Sequence, residues 1–321
     1  DLAKFKADGQ ADYEYVRAES EFAAASVVLG ASATGVRVYS ATSSQGLLLM
    51  AEVIYNIAGM RLPVVMTCAN RAVSAPINIW NDQQDVMAIR DAGWILLFAE
   101  NHQEAVNQHV MAFKIAEQLK LPVMINVDGF IMTHSYEPVI IPTAEQIKKY
   151  LHDYRPEAGQ YLDPASPVTL GALATPAHYM EIRQELHDDL TNSLSAINKE
   201  FTVFNSKFEI RNSKLNLFSP RIDNGLVEYV GPSKPETIVV AMGSVIGTIK
   251  DTVGKSDKVG ILKIKCLRPF PADEILKIIK SAKNIAVIDK SISLGHIGPL
   301  ASDIKAITQS KANANISSFI V

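Results

Sequence analysis

Two ionisable residues stand where a charge could act on a ligand. Glu21 opens an apolar, Ala-rich stretch. Arg71 follows an apolar run and heads a loop of small residues, Ala72-Val73-Ser74-Ala75-Pro76. A carboxyl at a helix start can exchange a proton with a bound group, as general acid–base chemistry requires. It can equally be only a first-turn carboxylate favoured by the helix dipole. A guanidinium at the carboxyl end of a strand is where an open α/β sheet takes anionic ligands, and its planar fork suits a carboxylate. Its plainer role is a bond to a nearby aspartate.

The remaining candidates are weaker. Gly243-Ser244-Val245-Ile246-Gly247 follows a strand pattern and opens a helical one. Such a turn can cradle an anion on its N–H groups, but it is neither GxGxxG nor a P-loop, and a tight strand-to-helix turn accounts for it. Asp82, Asp85 and Asp91 could suggest a cation site, yet their spacing does not match an EF-hand, and helix capping explains them better. The 7 histidines include no zinc-protease pair, so surface or capping roles are expected for all of them. There is no GxSxG elbow. Cys68 and Cys266 lie far apart without a CxxC neighbour. Neither a cluster nor a metal site built by this chain alone is expected, a disulfide is disfavoured, and the reading is a reducing, cytoplasmic compartment.

The elements that must position these residues alternate. Helical periods cover Phe22 to Ala33, Leu47 to Ala58 and Gln103 to Leu119, and strand patterns cover Val36 to Ser40, Pro63 to Thr67, Trp94 to Phe98 and Pro122 to Val127. A long loop is expected from Asn70 to Asp82. This alternation predicts a doubly wound, mostly parallel sheet. From about Ile140 to Asn224 prolines interrupt the pattern, and Met180 to about Phe204 reads as one charged amphipathic helix. A second α/β unit follows, with strands at Thr237 to Ala241, Val259 to Lys263 and Asn284 to Ile288. Its helices are expected near Val245 to Val253, Ala272 to Ala282 and Gly298 to Gln309. The division expected is 1–139, 140–230 as a crossover linker, and 231–321. The chain starts without Met inside a helical pattern, Asp1 to Phe5, and ends on Ile320-Val321, which resembles the start of a strand. A fragment of a longer polypeptide, cut at both ends, is the expectation.

With 321 residues, 48% hydrophobic and 20% charged, the chain can bury a sizeable core and is not a disordered sequence. A formal net charge of −3 without a Lys/Arg cluster argues against a grip on nucleic acid phosphates. No apolar run approaches the ~18 residues of a membrane span.

Four segments carry a family resemblance. They are Ala18-Glu19-Ser20-Glu21, Ser40-Ala41-Thr42-Ser43-Ser44-Gln45-Gly46-Leu47, Asn70-Arg71-Ala72-Val73-Ser74-Ala75-Pro76-Ile77-Asn78-Ile79-Trp80 and Asn126-Val127-Asp128-Gly129-Phe130. Together with Pro164 to Arg183 and the Leu267-Arg268-Pro269-Phe270-Pro271 turn, they closely resemble alpha subunits of the pyruvate:ferredoxin oxidoreductase (pyruvate synthase) family, over essentially the whole chain. The resemblance implies the pyrimidine-binding domain of thiamine diphosphate enzymes, a doubly wound parallel sheet, followed by a transketolase-C-terminal-like α/β domain.

It also implies the chemistry: oxidative decarboxylation of pyruvate, electrons to ferredoxin and the acetyl group to coenzyme A. Glu21 matches the glutamate that bonds the aminopyrimidine ring, and Arg71 matches the arginine that binds the substrate carboxylate. Ser44 and Gln45 line the cofactor face. Magnesium and the diphosphate belong to a beta subunit with a GDG-type motif, to which Val127-Asp128-Gly129 is only the nearest approach here. Iron–sulfur clusters belong to partners, with gamma and ferredoxin-like delta subunits completing the complex. The family's Pro-Ile-Thr-Pro loop is missing from this chain. The same chemistry on 2-oxoisovalerate, 2-oxoglutarate or oxalate is the alternative, and a non-catalytic scaffold is the other class. Joint retention of Glu21 and Arg71 speaks against a scaffold. A transketolase or lipoamide-linked dehydrogenase lacks the Asn-Arg-Ala-x-Ser-Ala-Pro loop.

Overall fold

The computed structural model describes residues 2–208, 222–254 and 256–321. Strands β1 (Tyr39–Thr42), β2 (Val65–Asn70), β3 (Ile95–Phe98) and β4 (Val123–Asp128) make a parallel sheet in the order β1-β2-β4-β3. β4, Val-Met-Ile-Asn-Val-Asp, is buried at every position, as a central parallel strand covered on both faces must be. Helix α1 (Leu2–Ala7) buries no residue, and helices α2 (Glu21–Ala33), α3 (Gln45–Leu49), α4 (Ala51–Gly59), α5 (Gln84–Ile89) and α6 (His102–Leu119) flank the sheet. Ser20 starts α2 by accepting the Ala23 N–H at 3.2 Å, and Asn101 starts α6 by accepting the Glu104 N–H at 2.9 Å.

Past α7 (Ala144–Tyr150), the 33-residue helix α8 (Pro176–Phe208) lies along α6. Its inner stripe is Leu186, Ser193, Ile197, Glu200 and Phe204. The rings of Tyr150, Phe204 and Phe208 pack at 4.5–5.4 Å, and Glu200 accepts from Lys114 and from the Tyr150 hydroxyl. The part of the expected linker beyond Phe208 lies outside the described residues until Ile222.

Later strands are β5 (Ile222–Asp223), β6 (Val227–Val230), β7 (Thr237–Ala241), β8 (Val259–Ile264), β9 (Cys266–Arg268), β10 (Asn284–Asp289) and β11 (Asn315–Ile320). All except β9 form a second sheet, β11-β10-β7-β8-β6-β5, parallel from β11 to β8 and antiparallel beyond. Helices α9 (Val245–Val253), α10 (Ala272–Ile279) and α11 (Pro299–Thr308) connect it. The second sheet thus takes strands from residue 222 onward, nine residues before the expected boundary at 231.

Several local expectations need correction. The first strand is Tyr39–Thr42, not Val36 to Ser40, and β2 runs on to Asn70 because it pairs with β4 as far as Asp128. The helix expected over Leu47 to Ala58 divides at Met50 into α3 and α4. Leu267 to Pro271 read as a turn, yet Cys266–Arg268 is a strand. It docks antiparallel on the open edge of β3, with Leu97 opposite Cys266, and both Cys266 and Leu267 are fully buried there. A return pairing of this kind has no local signature.

The sheets are also joined by charge. Lys263, 2% exposed, bonds Glu100 and Glu104 at 2.6 Å each and Glu228 at 3.2 Å, and Lys250 bonds Glu100 and Glu228 at 2.9 and 2.7 Å. The three carboxylates bring oxygens within 4.8 Å of one another, but the lysine ammonium groups already fill the space between them.

Candidate active site

The segments after β1, β2 and β4 converge at the carboxyl ends of the first sheet, where α/β sheets bind ligands. Glu21 reaches this rim from the first turn of α2. A Cβ on Gly46 would lie 2.9 Å from Glu21 Cγ and 2.6 Å from Thr42 Oγ1, so the carboxylate side chain rests on the Gly46 backbone. In this chain Glu21 is exposed, because the start of α2 forms the outer lip of the rim.

Arg71 leaves the end of β2 on the other side of residues 43–46. Its Nη2 donates to Ser43 Oγ at 2.7 Å, and its buried Nε has no hydrogen-bond partner. Gly129 lets the aliphatic stem of Arg71 pass: a Cβ there would stand 2.6 Å from both Arg71 Cγ and the Asn70 carbonyl oxygen. The expected bond between Arg71 and Asp82 or Asp85 takes a different form. Asp85 accepts the Arg71 backbone N–H at 3.1 Å, while the guanidinium has no carboxylate partner among the described residues. Asp82 accepts the Gln84 N–H at 2.6 Å as a local cap, and Asp91 pairs with Arg268 at 3.3 Å. The three aspartates therefore do not share a cation site.

Ser44 and Gln45 lie between Glu21 and Arg71. Ser44 is buried in a left-handed conformation (φ 51°), and its hydroxyl donates to the Ala72 carbonyl at 2.5 Å. Gln45 is exposed and bonds Ser74 through its amide. The mouth of the site is apolar. Ile77 is 83% exposed and Trp80 55%. Trp80 leans on Phe130, which stacks on His134 at 4.9 Å.

The partners of one turn and one residue are not legible in the sequence. The Gly243-Ser244 turn does cradle an anion, and it is the chain's own. Asp128, 1% exposed, accepts the Ser244 N–H at 2.7 Å and its hydroxyl at 2.5 Å. The turn is therefore occupied and joins the second sheet to the first. His109 is not a surface residue; it lies between Thr67 Oγ1 (2.5 Å) and the Ala105 carbonyl (2.6 Å), and burial pulls its pKa down. Cys68 and Cys266 are buried and free, and burial pushes both thiols up, Cys266 to about 12.

A parallel sheet that brings an acid and a cation without a carboxylate partner among the described residues to its carboxyl edge has the layout of a ligand-binding α/β protein. Residues 1–201 match the profile of pyruvate flavodoxin/ferredoxin oxidoreductases, thiamine diphosphate-binding, and residues 235–321 match pyruvate:ferredoxin oxidoreductase core domain II. The chain belongs to this oxidoreductase family, as the sequence resemblance implied. It is 45% identical over 324 aligned positions to the pyruvate synthase subunit PorA of Methanocaldococcus jannaschii, covering 98% of this chain and 80% of that protein. With ketoisovalerate oxidoreductase subunit VorA of Pyrococcus horikoshii it shares 39% identity, over 95% of this chain and 75% of the relative. A 2-oxoglutarate:ferredoxin oxidoreductase from Magnetococcus marinus, solved with 2-oxoglutarate, coenzyme A and succinyl-CoA bound, superposes with a TM-score of 0.64. That match has 18% identity and covers all of this chain and 57% of the other, which establishes the expected fold. Among the described residues no helix is long and apolar enough to cross a membrane.

Proposed function

We propose that this chain is the alpha-type subunit of a pyruvate:ferredoxin oxidoreductase and supplies the pyrimidine-facing half of its thiamine diphosphate site. The observation that carries the reading is Arg71: a guanidinium at a sheet's carboxyl edge, with a buried Nε lacking a partner and no carboxylate of its own among the described residues. Such a group is prepared for the carboxylate of a 2-oxoacid, and a charge-assisted fork is the strong form of that contact. When bound, the cofactor supplies the carbon to which the 2-oxoacid is attached while carbon dioxide leaves. Glu21, on the lip beside Gly46, would exchange a proton with a ring nitrogen of the cofactor through its carboxyl. Gln45 offers its exposed side to the same ring, and Ser44 holds the loop.

The chain's own strand-to-helix turn is filled by Asp128, which supports assigning the diphosphate and magnesium to a beta subunit. The buried cysteines likewise support placing the iron–sulfur clusters on partner subunits, beta, gamma and delta types together, which pass electrons to ferredoxin in the reducing cytoplasm while the acetyl group goes to coenzyme A. The exposed apolar mouth at Ile77 and Trp80 suits coverage by the beta subunit. In this reading residues 1–139 form the pyrimidine-binding unit, 140–230 a crossover whose last strands, β5 and β6, join the sheet of the second unit, and 231–321 the rest of that unit.

In the assembled complex, Arg71→Ala is expected to raise the KM for pyruvate roughly 10- to 150-fold, the equivalent of about 1.5–3 kcal/mol, and to leave thiamine diphosphate affinity unchanged. Arg71→Lys should recover part of the loss. Steady-state kinetics beside calorimetric titration of the cofactor checks this. Lost thermal stability with unchanged pyruvate saturation would sink the assignment. The chain alone is expected neither to bind thiamine diphosphate tightly nor to turn over pyruvate with an artificial electron acceptor. Turnover by the purified single chain would refute the half-site. Comparing kcat/KM for pyruvate and 2-oxoisovalerate decides the substrate.

A further inference from the structure

Asp85 is the least exposed charged side chain near the site, at 0%, and no cation pairs with it among the described residues. Sequence reasoning regarded it as a helix cap. Its carboxylate takes one first-turn N–H of α5, that of Val86, and also gathers donors from the two loops that bear the site. Oδ2 accepts the Ser44 N–H at 2.9 Å and the Arg71 N–H at 3.1 Å. Oδ1 accepts the Asn70 amide at 3.0 Å and the Val86 N–H at 2.7 Å. Cys68 Sγ approaches Oδ2 at 3.5 Å, and Asn70 reaches on to Asn126 Oδ1 at 3.1 Å, so the hub extends into β4.

One oxygen thus spans the segment on which Glu21 rests and the residue that carries the guanidinium. Ser44 is held at positive φ, where a non-glycine residue needs outside support, and its buried N–H would be orphaned without Asp85. Bonds from Arg71 to Ser43, from the Ser44 hydroxyl to the Ala72 carbonyl and from the Gln45 amide to Ser74 tie the same two segments directly, but only Asp85 binds the Ser44 and Arg71 backbones through one atom.

We propose that Asp85 is a positioning residue for the reaction: it fixes the spacing between the Ser43–Gly46 segment and Arg71, and so sets where the substrate carboxylate sits relative to Glu21. The inference rests on the carboxylate-binding role of Arg71 given above. Its physical basis is that an anion accepting several N–H groups holds them more tightly than a neutral acceptor does. Burial alone pushes the Asp85 carboxyl above its ordinary range, and the bonds from Asn70, Arg71, Ser44 and Val86 oppose that shift. Burial is the larger effect, and the carboxyl stays raised above its ordinary value.

The test is a double-mutant cycle in the assembled complex with Arg71→Ala, Asp85→Asn and both together. An asparagine must turn its NH₂ toward some of the N–H donors that the carboxylate accepts. Misplacing a binding group by about 1 Å can cost on the order of 10²-fold, so Asp85→Asn should raise the KM for pyruvate roughly 10- to 100-fold. The double variant should bind pyruvate no worse than Arg71→Ala alone, because Asp85 acts through Arg71. Melting temperature is read on each sample. Where asparagine prevents assembly, Asp85→Ser makes the same test, since its smaller side chain leaves room for water at the two N–H groups. A lower melting temperature with unchanged KM, or losses that multiply in the double variant, would overturn the proposal while leaving the site reading intact. An unchanged KM in Arg71→Ala would overturn the site reading itself.

Discussion

Glu21→Gln in the assembled complex is expected to lower turnover about 10²- to 10⁴-fold, the usual scale of a lost general acid–base contribution. Size and hydrogen-bonding reach are nearly kept, so the side chain should still rest on Gly46 and α2 should still start at Ser20. What is lost is the carboxyl's capacity to hold and return a proton. The substitution also removes a first-turn negative charge from α2, which carries Glu21 as its acidic residue there. That dipole effect costs only about 0.3–1 kcal/mol, far too little to explain such a fall. Melting temperature and complex assembly should therefore change little. Hydrogen exchange at the thiazolium carbon of bound thiamine diphosphate, followed by NMR, separates the roles. Exchange at the wild-type rate in the variant would remove Glu21 from the chemistry and leave it as a helix-start carboxylate.

The largest expected effect on stability is at Lys263. Lys263→Met keeps much of the volume and removes the ammonium that contacts Glu100, Glu104 and Glu228. Breaking a buried pair from one side typically costs about 3–5 kcal/mol, because the partner charges stay buried without compensation. Lys250 still contacts Glu100 and Glu228, which places this case toward the lower end. The pH dependence follows from the same cluster. Burial opposes ionisation of Glu228, but Lys263, Lys265 and Lys250 outweigh it and hold the carboxyl well below its ordinary 4.5. Glu104 is likewise lowered by Lys263 and Lys265 against the cost of burial. A folded-state pKa below the unfolded value means that the unfolded chain binds protons first as the solution is acidified. This stability is thus fully present above pH 4.5 and is lost as pH falls through that value toward the folded pKa. Urea midpoints measured from pH 7 down to pH 4 should fall more steeply in the wild type than in Lys263→Met. Equal slopes would show that the lysine does not set these acidities.

Much of the fold was legible because local chemistry and global structure agree. Ser20 before an apolar run signals a helix start, and α2 begins at Glu21 as that pattern requires. The bounds read for β7 and α9, Thr237–Ala241 and Val245–Val253, are those observed. At these places a run of β-branched residues, a glycine turn and a helical period follow one another without competition. The candidate pair was legible for the same reason. Glu21 and Arg71 are exceptions to their surroundings, a charge at the edge of an apolar run in each case.

What the sequence could not settle were partners. It marked the Gly243-Ser244 turn as able to hold an anion, but only folding brings Asp128 to it from 116 positions away. It marked Asp85 as polar, yet a cap and a buried hub look alike until Ser44 and Arg71 arrive from 41 and 14 positions away. Lys263 alternates within β8 like any outward-facing lysine, and only its carboxylate partners, Glu100, Glu104 and Glu228, 163, 159 and 35 positions distant, turn that face inward. β9 escaped for the same reason: Pro269 and Pro271 speak for a turn, and the open edge of β3 overrules them. Periodicity reports which residues share a face, because backbone geometry is local. Which face, edge or charge meets it is decided by chain segments whose separation costs little free energy in a closed loop and leaves no trace in the spacing of residues.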